Sequence, residues 1–127
     1  MERRTKQRNA IWNAVQSAGR PLSPHEIRAL AASSVGSIGI ATVYRNVKAL
    51  QDEGAIVPVE MPGQPPRYEV SGLMHHHHFH CRACDCVFEM EGCAGDLSAL
   101  APQGFNVEGH MLSLFGLCQA CHTSGDR

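Results

Sequence analysis

Residues 75–84 read His-His-His-His-Phe-His-Cys-Arg-Ala-Cys, with five histidines and two cysteines in one short stretch. A second Cys-x-x-Cys pair follows at Cys118 and Cys121. One such pair could be a redox dithiol, but two pairs in one small chain favour a tetrahedral site with four thiolates, the usual form of structural zinc. We therefore predict a closed zinc site, with no open position for catalysis, at Cys81, Cys84, Cys118 and Cys121.

The histidine run just before Cys81 has a second consequence. Side chains alternate along a strand, so His75 and His77 would point to one face while His76 and His78 point to the other. One strand could then serve two metal sites for zinc, ferrous iron or manganese. The alternative is a polar surface strand that binds metal adventitiously. The other available ligands are His110, Glu69, Glu89, Glu91 and Asp96.

The chain before Gly54 is predicted to be helical. Apolar residues recur at helical spacing within 5–18 and again within 40–50. Between these segments, residues 23–26 (Ser-Pro-His-Glu) carry a capping serine, a proline suited to the first turn and a capping-box glutamate. Gly54 stands where a left-handed residue would end the third helix.

Two short strands are predicted next, at 56–60 and 67–70, around a turn-rich loop. Three helices and a hairpin make a winged helix-turn-helix, in which the last helix enters the major groove of DNA. The alternative from this half alone is a helical bundle with a solvated basic face. The candidates for DNA contact on the last helix are Thr42, Tyr44, Arg45 and Lys48, and Lys6 and Arg8 are further candidates for phosphate.

The distribution of charged residues also divides the chain, near residue 54. Residues 1–54 carry eight Lys/Arg and four Asp/Glu, a net charge of +4, whereas the rest carries three and eight, a net charge of −5. All six cysteines and seven of the eight histidines follow residue 74. This asymmetry suggests a part that binds a polyanion joined to a part that binds metal.

Length and composition exclude several classes of protein. The chain has 127 residues, 43% hydrophobic and 18% charged, which fits neither collagen nor a disordered polyelectrolyte. The N-terminal sequence lacks the apolar run of a secretory signal, and no stretch is long and apolar enough to span a bilayer. We therefore expect a cytoplasmic protein with no membrane partner and with reduced cysteines.

Apolar residues alternate at 87–90 and 105–115, which predicts strands with one face to bury. So short a chain cannot cover all of this surface, and we expect a symmetric dimer. A metalloenzyme is a rival from another class, but there is no HExxH motif and no convincing pairing of a nucleophile with a base. A metal-storage module that does not bind DNA is a further alternative.

Four motifs appear in order along the chain: ATVYRNV at 41–47, YE at 68–69, HHHHFHCRAC at 75–84 and GLCQAC at 116–121. Together they resemble the ferric uptake regulator (Fur) family over almost the whole chain. The resemblance implies a homodimeric, metal-dependent transcription factor, usually a repressor. Its fold would be α+β, with a winged-helix DNA-binding domain in residues 1–70 and a small α/β metal-binding dimerisation domain in residues 71–127.

The resemblance also implies three metal sites. The structural zinc would be held by Cys81, Cys84, Cys118 and Cys121. The sensing site at the domain hinge would consist of Glu69, His76, His78 and Glu89. The auxiliary site would consist of His75, His77, Asp96 and His110.

The chain departs from the family pattern before the second helix. Many relatives supply a sensing histidine there, whereas this chain has Arg20 and Pro21. His25 or the hinge residue Glu60 are the candidates to replace that ligand.

The unbroken run of four histidines is most similar to the zinc uptake regulator (Zur) branch, which favours zinc as the regulatory metal. The carboxylates of Glu69 and Glu89 would also suit an iron or manganese sensor, or a peroxide sensor acting through bound iron. Cys86 and Cys93 are left over; we expect packing or surface thiols, with a place in a regulatory site as the alternative.

Overall fold

The computed structural model describes residues 2–73, 75–93 and 95–123, which form two compact units that divide after Leu73. The first unit contains three helices and a hairpin: α1 (Glu2–Ala18), α2 (Pro24–Val35), α3 (Ile40–Asp52), β1 (Ile56–Val59) and β2 (Arg67–Val70). This is the predicted winged helix-turn-helix.

No single helix among the described residues is long and apolar enough to cross a membrane. Taken together, α2 and α3 have sufficient length and apolar composition, but the pair is bent by 103°.

The predicted capping box begins α2. The Ser23 N–H donates to Glu26 Oε1 at 2.8 Å, and the Glu26 N–H donates to Ser23 Oγ at 3.2 Å, with Pro24 in the first turn. The Glu26 carboxylate also accepts hydrogen bonds from Arg20 and Arg67, each at 3.2 Å. Because Arg67 lies on β2, this ion pair ties the hairpin to the start of α2.

The core of the first unit lies between the helices and the hairpin, and each large aliphatic side chain buried there contributes about 1.5–3 kcal/mol. From α3, the buried residues are Val43, Val47 and Leu50, which occupy one face of that helix. The opposite face of α3 is therefore left to solvent. The largest fully buried side chains of this core include Ile11, Val15, Leu22, Ile27, Ile38 and Ile56.

The wing is a short antiparallel hairpin in which Ile56 pairs with Val70 and Val59 with Arg67. Its first strand ends at Val59, one residue before the predicted end. Gly54, between α3 and β1, has φ of +81°, the left-handed conformation predicted for it.

The second unit is built on a three-stranded sheet with the order β4-β3-β5. β4 runs antiparallel to the central strand β3, and β5 runs parallel to it. The elements are β3 (His77–Cys81), β4 (Val87–Met90), a 3-10 turn (Ser98–Leu100), β5 (Ser113–Gly116) and α4 (Gln119–Thr123).

The strand predicted across 105–115 was too long. Regular pairing begins at Ser113, and residues 105–112 have no helix or strand. Gly109 interrupts the apolar alternation in this segment, and glycine weakens the interior of a strand.

Candidate metal centres and nucleic-acid interface

The predicted cluster of four cysteines is present at one end of the second unit's sheet. Its four Sγ atoms all lie within 4.8 Å of one another, and Cys84 Sγ lies 3.9 Å from Cys118 Sγ. Tetrahedral zinc with bonds of about 2.3 Å to sulfur places neighbouring sulfurs about 3.8 Å apart. The cluster therefore fits a structural zinc ion held by Cys81, Cys84, Cys118 and Cys121.

The sheet explains why the two pairs meet. Cys81 ends β3 and Cys84 lies in the turn that follows it. Because β5 runs parallel to β3, the chain leaves both strands at the same end, and the Arg82 N–H donates to the Gly116 carbonyl at 2.8 Å. Cys118 thus emerges beside Cys81, and α4 then carries Cys121.

Hydrogen bonds and burial also shift the pKa values of the thiols in this cluster. Backbone N–H groups of Cys84 and Cys118 lower the pKa of the Cys81 thiol to about 5. A hydrogen bond from the Cys86 backbone lowers the pKa of the Cys84 thiol. Burial and hydrogen bonds with neighbouring thiols outweigh this effect and raise the pKa to about 12. Hydrogen bonds with Cys118 and Cys81 raise the pKa of Cys121. The raised pKa values keep Cys84 and Cys121 protonated without an ion, so holding all four residues as thiolates would require a cation such as zinc.

A second cluster lies at the other end of the sheet. Ligand atoms of His75, His77, Cys93 and His110 all lie within 4.8 Å of one another. His77 is the most buried of the four, with 3% of its surface exposed. Burial lowers the pKa of His77, and the neighbouring imidazoles of His75 and His110 lower it further, which favours the neutral imidazole that binds metals.

Three of these residues were predicted together, but Cys93 was not among them. The fourth predicted ligand, Asp96, is outside this group; its carboxylate accepts a hydrogen bond from the Ser98 N–H at 2.9 Å. The Ser98 backbone and side chain lower the pKa of Asp96, with a smaller contribution from His110. The sequence signal that could have identified Cys93 as a ligand was its position three residues after the predicted strand at 87–90.

The opposite face of β3 carries the other two histidines of the run. The rings of His76 and His78 lie edge to face, with centroids 4.7 Å apart, so the predicted alternation is confirmed. Glu89 pairs with His78 across β3 and β4, and directly opposed residues project from the same face of a sheet. These are three of the four predicted sensing ligands.

The remaining candidates for the sensing site belong to the first unit. Glu69 is a buried residue of β2, whereas His25 in the first turn of α2 and Glu60 after β1 are exposed. The sensing site as a set of four ligands stays a prediction.

The predicted DNA contacts lie on the solvent-facing side of α3. Tyr44 is 51% exposed, and Arg45 and Lys48 are exposed as well. Arg45 donates a hydrogen bond to Thr42 Oγ1 at 3.0 Å, and Lys48 lies 3.4 Å from Asp52. The solvent-facing side of α3 thus presents both hydrogen-bonding and cationic groups.

A groove adjoins this face, and α1 contributes one of its walls. A cavity of about 380 Å³ is lined by Arg4, Gln7, Thr42, Arg45 and Asn46, and a neighbouring hollow adds Arg3. Two arginines and three amide or hydroxyl side chains suit a phosphate group.

Sequence reasoning proposed Lys6 and Arg8 from α1 for phosphate contacts. In the structure, Lys6 lies 3.9 Å from Glu2, and Arg8 forms an ion pair with Glu53 at 2.5 Å. Arg4 faces the groove instead, a position that depends on how α1 packs against α3 and is not visible in the sequence.

A winged helix with a basic groove, joined to a unit that carries metal-ligand clusters, defines a metal-binding transcription regulator. The chain belongs to the ferric uptake regulator family, whose sequence pattern matches residues 2–115. The resemblance to this family is thereby confirmed, and the first three of the four motifs lie within the matched residues. The chain is a DNA-binding, metal-dependent regulator and not an enzyme.

Individual relatives are distant but cover most of the chain. The ferric uptake regulation protein of Campylobacter upsaliensis is 27% identical over 123 residues, covering 93% of this chain and 79% of the relative. A zinc-bound manganese uptake regulator of known structure is 26% identical, with a TM-score of 0.74 and coverage of 88% and 87%. FurB from M. tuberculosis, a zinc uptake regulator, is 26% identical, with a TM-score of 0.53 and coverage of 94% and 95%.

Proposed function

We propose that this chain is a zinc-responsive repressor of metal-uptake genes that binds operator DNA as a homodimer. The observation that carries the proposal is the alternation of β3, which separates the His76 and His78 pair from the His75 and His77 pair. One strand thereby offers imidazoles to a responsive site that is distinct from both clusters at the ends of the sheet. The relatives whose names specify zinc or manganese uptake support a role in metal supply.

The proposed sensing ligands are Glu69, His76, His78 and Glu89, as the family resemblance implies. His78 and Glu89 already face the same side of the sheet. The histidines follow the last strand of the wing after a short linker, and Glu69 belongs to that strand. A metal held by this set would therefore restrict the linker between the wing and the second unit.

Such a restriction regulates DNA binding only if it favours one arrangement of the chain over others. A ligand with equal affinity for all arrangements shifts none of them. The arrangement favoured by metal must therefore place the two α3 helices of a dimer at the spacing of two half-sites, about one helical turn of DNA or a multiple of it. Without metal, DNA affinity falls by the fraction of competent dimers.

The homodimer is supported by apolar surface on the second unit. Phe115 is 82% and Leu114 50% exposed on β5, a strand at the edge of the three-stranded sheet. Phe105 and Met111 in the preceding segment are 70% and 88% exposed. Exposed apolar patches of this kind mark interaction surfaces, and the edge of a sheet offers unpaired backbone groups to a second copy.

A manganese- or iron-responsive regulator is the second candidate. It is favoured by the carboxylate of Glu89 opposite His78, because carboxylates suit manganese and iron better than thiolates do. The likeness to a manganese uptake regulator points the same way. This second candidate has the same fold and the same DNA interface as the zinc-responsive repressor. The two differ only in the metal that raises DNA affinity.

The test is a binding titration of operator DNA at fixed salt, with the metal varied. The operator is a duplex selected from a random pool by the zinc-loaded protein, and fluorescence anisotropy measures its affinity. Zn²⁺ is expected to raise affinity by at least tenfold, whereas Mn²⁺ and Fe²⁺ at the same free concentration do not. His78→Ala should remove this response, and His122→Ala, which changes an exposed histidine of α4 that is not among the proposed sensing ligands, should keep it.

Linkage gives a second measurement of the same proposal. If zinc raises operator affinity tenfold, operator DNA must tighten zinc binding by the same factor, about 1.4 kcal/mol, summed over the sensing sites of the dimer. A protein whose operator affinity is the same with and without every metal would contradict metal regulation. A response to Mn²⁺ or Fe²⁺ alone would transfer the conclusion to the second candidate.

A further inference from the structure

The thiol of Cys93 contacts two imidazoles of the second cluster. Its Sγ is 3.3 Å from His77 Nε2 and 3.1 Å from His110 Nε2, and these two nitrogens are 3.2 Å apart. The His75 ring completes the group, with its centroid 4.5 Å from that of His77 and 5.2 Å from that of His110. Four ligand groups thus converge on one point.

These distances match the edges of a coordination tetrahedron. Zinc bonds of about 2.05 Å to nitrogen and 2.3 Å to sulfur give edges of about 3.3 Å between nitrogens and about 3.6 Å between nitrogen and sulfur. The three observed separations are slightly shorter than these values. An ion at the centre would therefore require the side chains to move apart by a few tenths of an ångström.

The order of the strands brings the segments that carry these ligands to one end of the sheet. His77 begins β3 and pairs with Met90 at the end of β4, so the segment after β4 passes this end of the sheet. The parallel strand β5 starts at the same end, which places His110 there as well. The four ligands therefore meet at one end of the sheet, where His77 belongs to β3 and His75, Cys93 and His110 lie in the adjoining segments.

The backbone of Gly95 contacts the Cys93 sulfur. The Gly95 N–H donates to Cys93 Sγ at 3.5 Å. Gly95 has φ of +98°, a conformation that glycine adopts readily and other residues rarely do. Backbone donors of this kind stabilise metal-bound thiolates, as they do for Cys81 at the other end of the sheet.

Asp96, the carboxylate expected from the family resemblance, is engaged elsewhere. Its Oδ1 accepts the Ser98 N–H at 2.9 Å, at the start of the 3-10 turn Ser98–Leu100. This is the usual local role of an aspartate that precedes a turn. The thiol of Cys93 contacts the imidazoles of His77 and His110 instead.

We propose that His75, His77, Cys93 and His110 form a second closed tetrahedral site, in which the Cys93 thiolate rather than the Asp96 carboxylate is the fourth ligand. Three imidazoles and one thiolate suit Zn²⁺ or Co²⁺ and disfavour Mn²⁺, which prefers oxygen ligands. The assignment rests on the second unit alone, so it can fail while the proposed regulation of DNA binding stands, and the reverse.

The test uses the full-length chain with its structural zinc in place and Co²⁺ as a spectroscopic probe. Added Co²⁺ should give visible bands of tetrahedral cobalt together with a near-ultraviolet charge-transfer band from a thiolate ligand. Cys93→Ser should lose the charge-transfer band and bind Co²⁺ at least tenfold more weakly. Asp96→Asn should keep both the band and the affinity. Zinc analysis throughout shows that the four-cysteine site has not exchanged.

Mass-mapped alkylation provides a readout in the unmodified protein. Cys93 is exposed, so iodoacetamide should modify it readily when only the structural zinc is bound. Further Zn²⁺, enough to fill both the sensing site and this cluster, should slow this modification at least tenfold, and an equal amount of Mn²⁺ should not. This experiment stays decisive if a variant fails to fold.

Three results would overturn the proposal. The charge-transfer band could persist in Cys93→Ser, or Asp96→Asn could abolish cobalt binding while Cys93→Ser retains it. Alternatively, Cys93 could be alkylated at the same rate with and without the added Zn²⁺. In that last case the four side chains form a hydrogen-bonded cluster that does not take an ion.

Discussion

Arg45 offers a way to separate base reading from phosphate contact on the proposed DNA interface. Its guanidinium is exposed on α3 and donates one hydrogen bond, at 3.0 Å, to Thr42 Oγ1 of the same helix. Exposed side chains with such local contacts usually change stability by less than about 0.5 kcal/mol when removed. Arg45→Ala should therefore leave the free energy of unfolding and the zinc content nearly unchanged.

The effect on operator binding should be much larger. A bidentate arginine contact to guanine contributes about 1–3 kcal/mol of discrimination, which corresponds to about a 5- to 150-fold loss of affinity. Arg4, in the groove beside Arg45, should behave differently. If it binds phosphate, Arg4→Ala should weaken all duplexes alike and reduce the slope of log affinity against log salt by about 0.9.

Fluorescence anisotropy on the selected operator and on a scrambled duplex, at several salt concentrations with saturating Zn²⁺, measures both quantities. Arg28→Ala is the matched control, since it removes the same charge from an exposed position on α2 whose neighbours include His25 and Ser37. Equal losses on operator and scrambled duplex for Arg45→Ala would show that Arg45 does not read bases. Unchanged operator affinity would refute its place in the interface.

Three other substitutions test the fold and its assembly. Cys118→Ser should lose one zinc per chain and lower the midpoint of thermal unfolding, whereas Cys86→Ser should keep its full zinc content; equal zinc in both variants would contradict the four-cysteine site. Phe115→Glu should convert the dimer to a monomer in sedimentation, and a zinc-loaded wild-type monomer at micromolar concentration would exclude the dimer itself. Ser23→Ala should destabilise the chain by about 1 kcal/mol in urea through loss of the capping box, while Ser33→Ala, which loses a single exposed hydrogen bond late in α2, should cost less.

Sequence reasoning succeeded where the signal was local. The capping box at Ser23 and Glu26, the left-handed Gly54 and the apolar faces of the helices depend on residues a few positions apart, and the structure contains each of them. The two Cys-x-x-Cys pairs are distant in sequence. Their pairing was nevertheless predictable, because zinc chemistry demands four ligands and the chain offers two matched pairs.

It failed where contacts depend on the order of strands or the packing of helices. Cys93 meets His110 because β4 ends, and β5 begins, at the end of the sheet where β3 begins. The spacing of residues in the sequence does not predict this order of strands. The strand predicted at 105–115 followed an apolar alternation that the sheet uses only from Ser113. Arg4 reaches Arg45 across the packing of α1 on α3, which is likewise a non-local contact.

The parallel pairing of β5 with β3 makes the alignment of these strands depend on both ends of the sheet. Phe79 is level with Leu114, and Cys81 with Gly116. A slip of one residue would displace β5 by about 3.3 Å and turn its side chains to the opposite faces. The segments that carry His110 and Cys118 would then both miss their partners. The four-cysteine cluster and the cluster at the far end therefore both require the same alignment of β5 on β3.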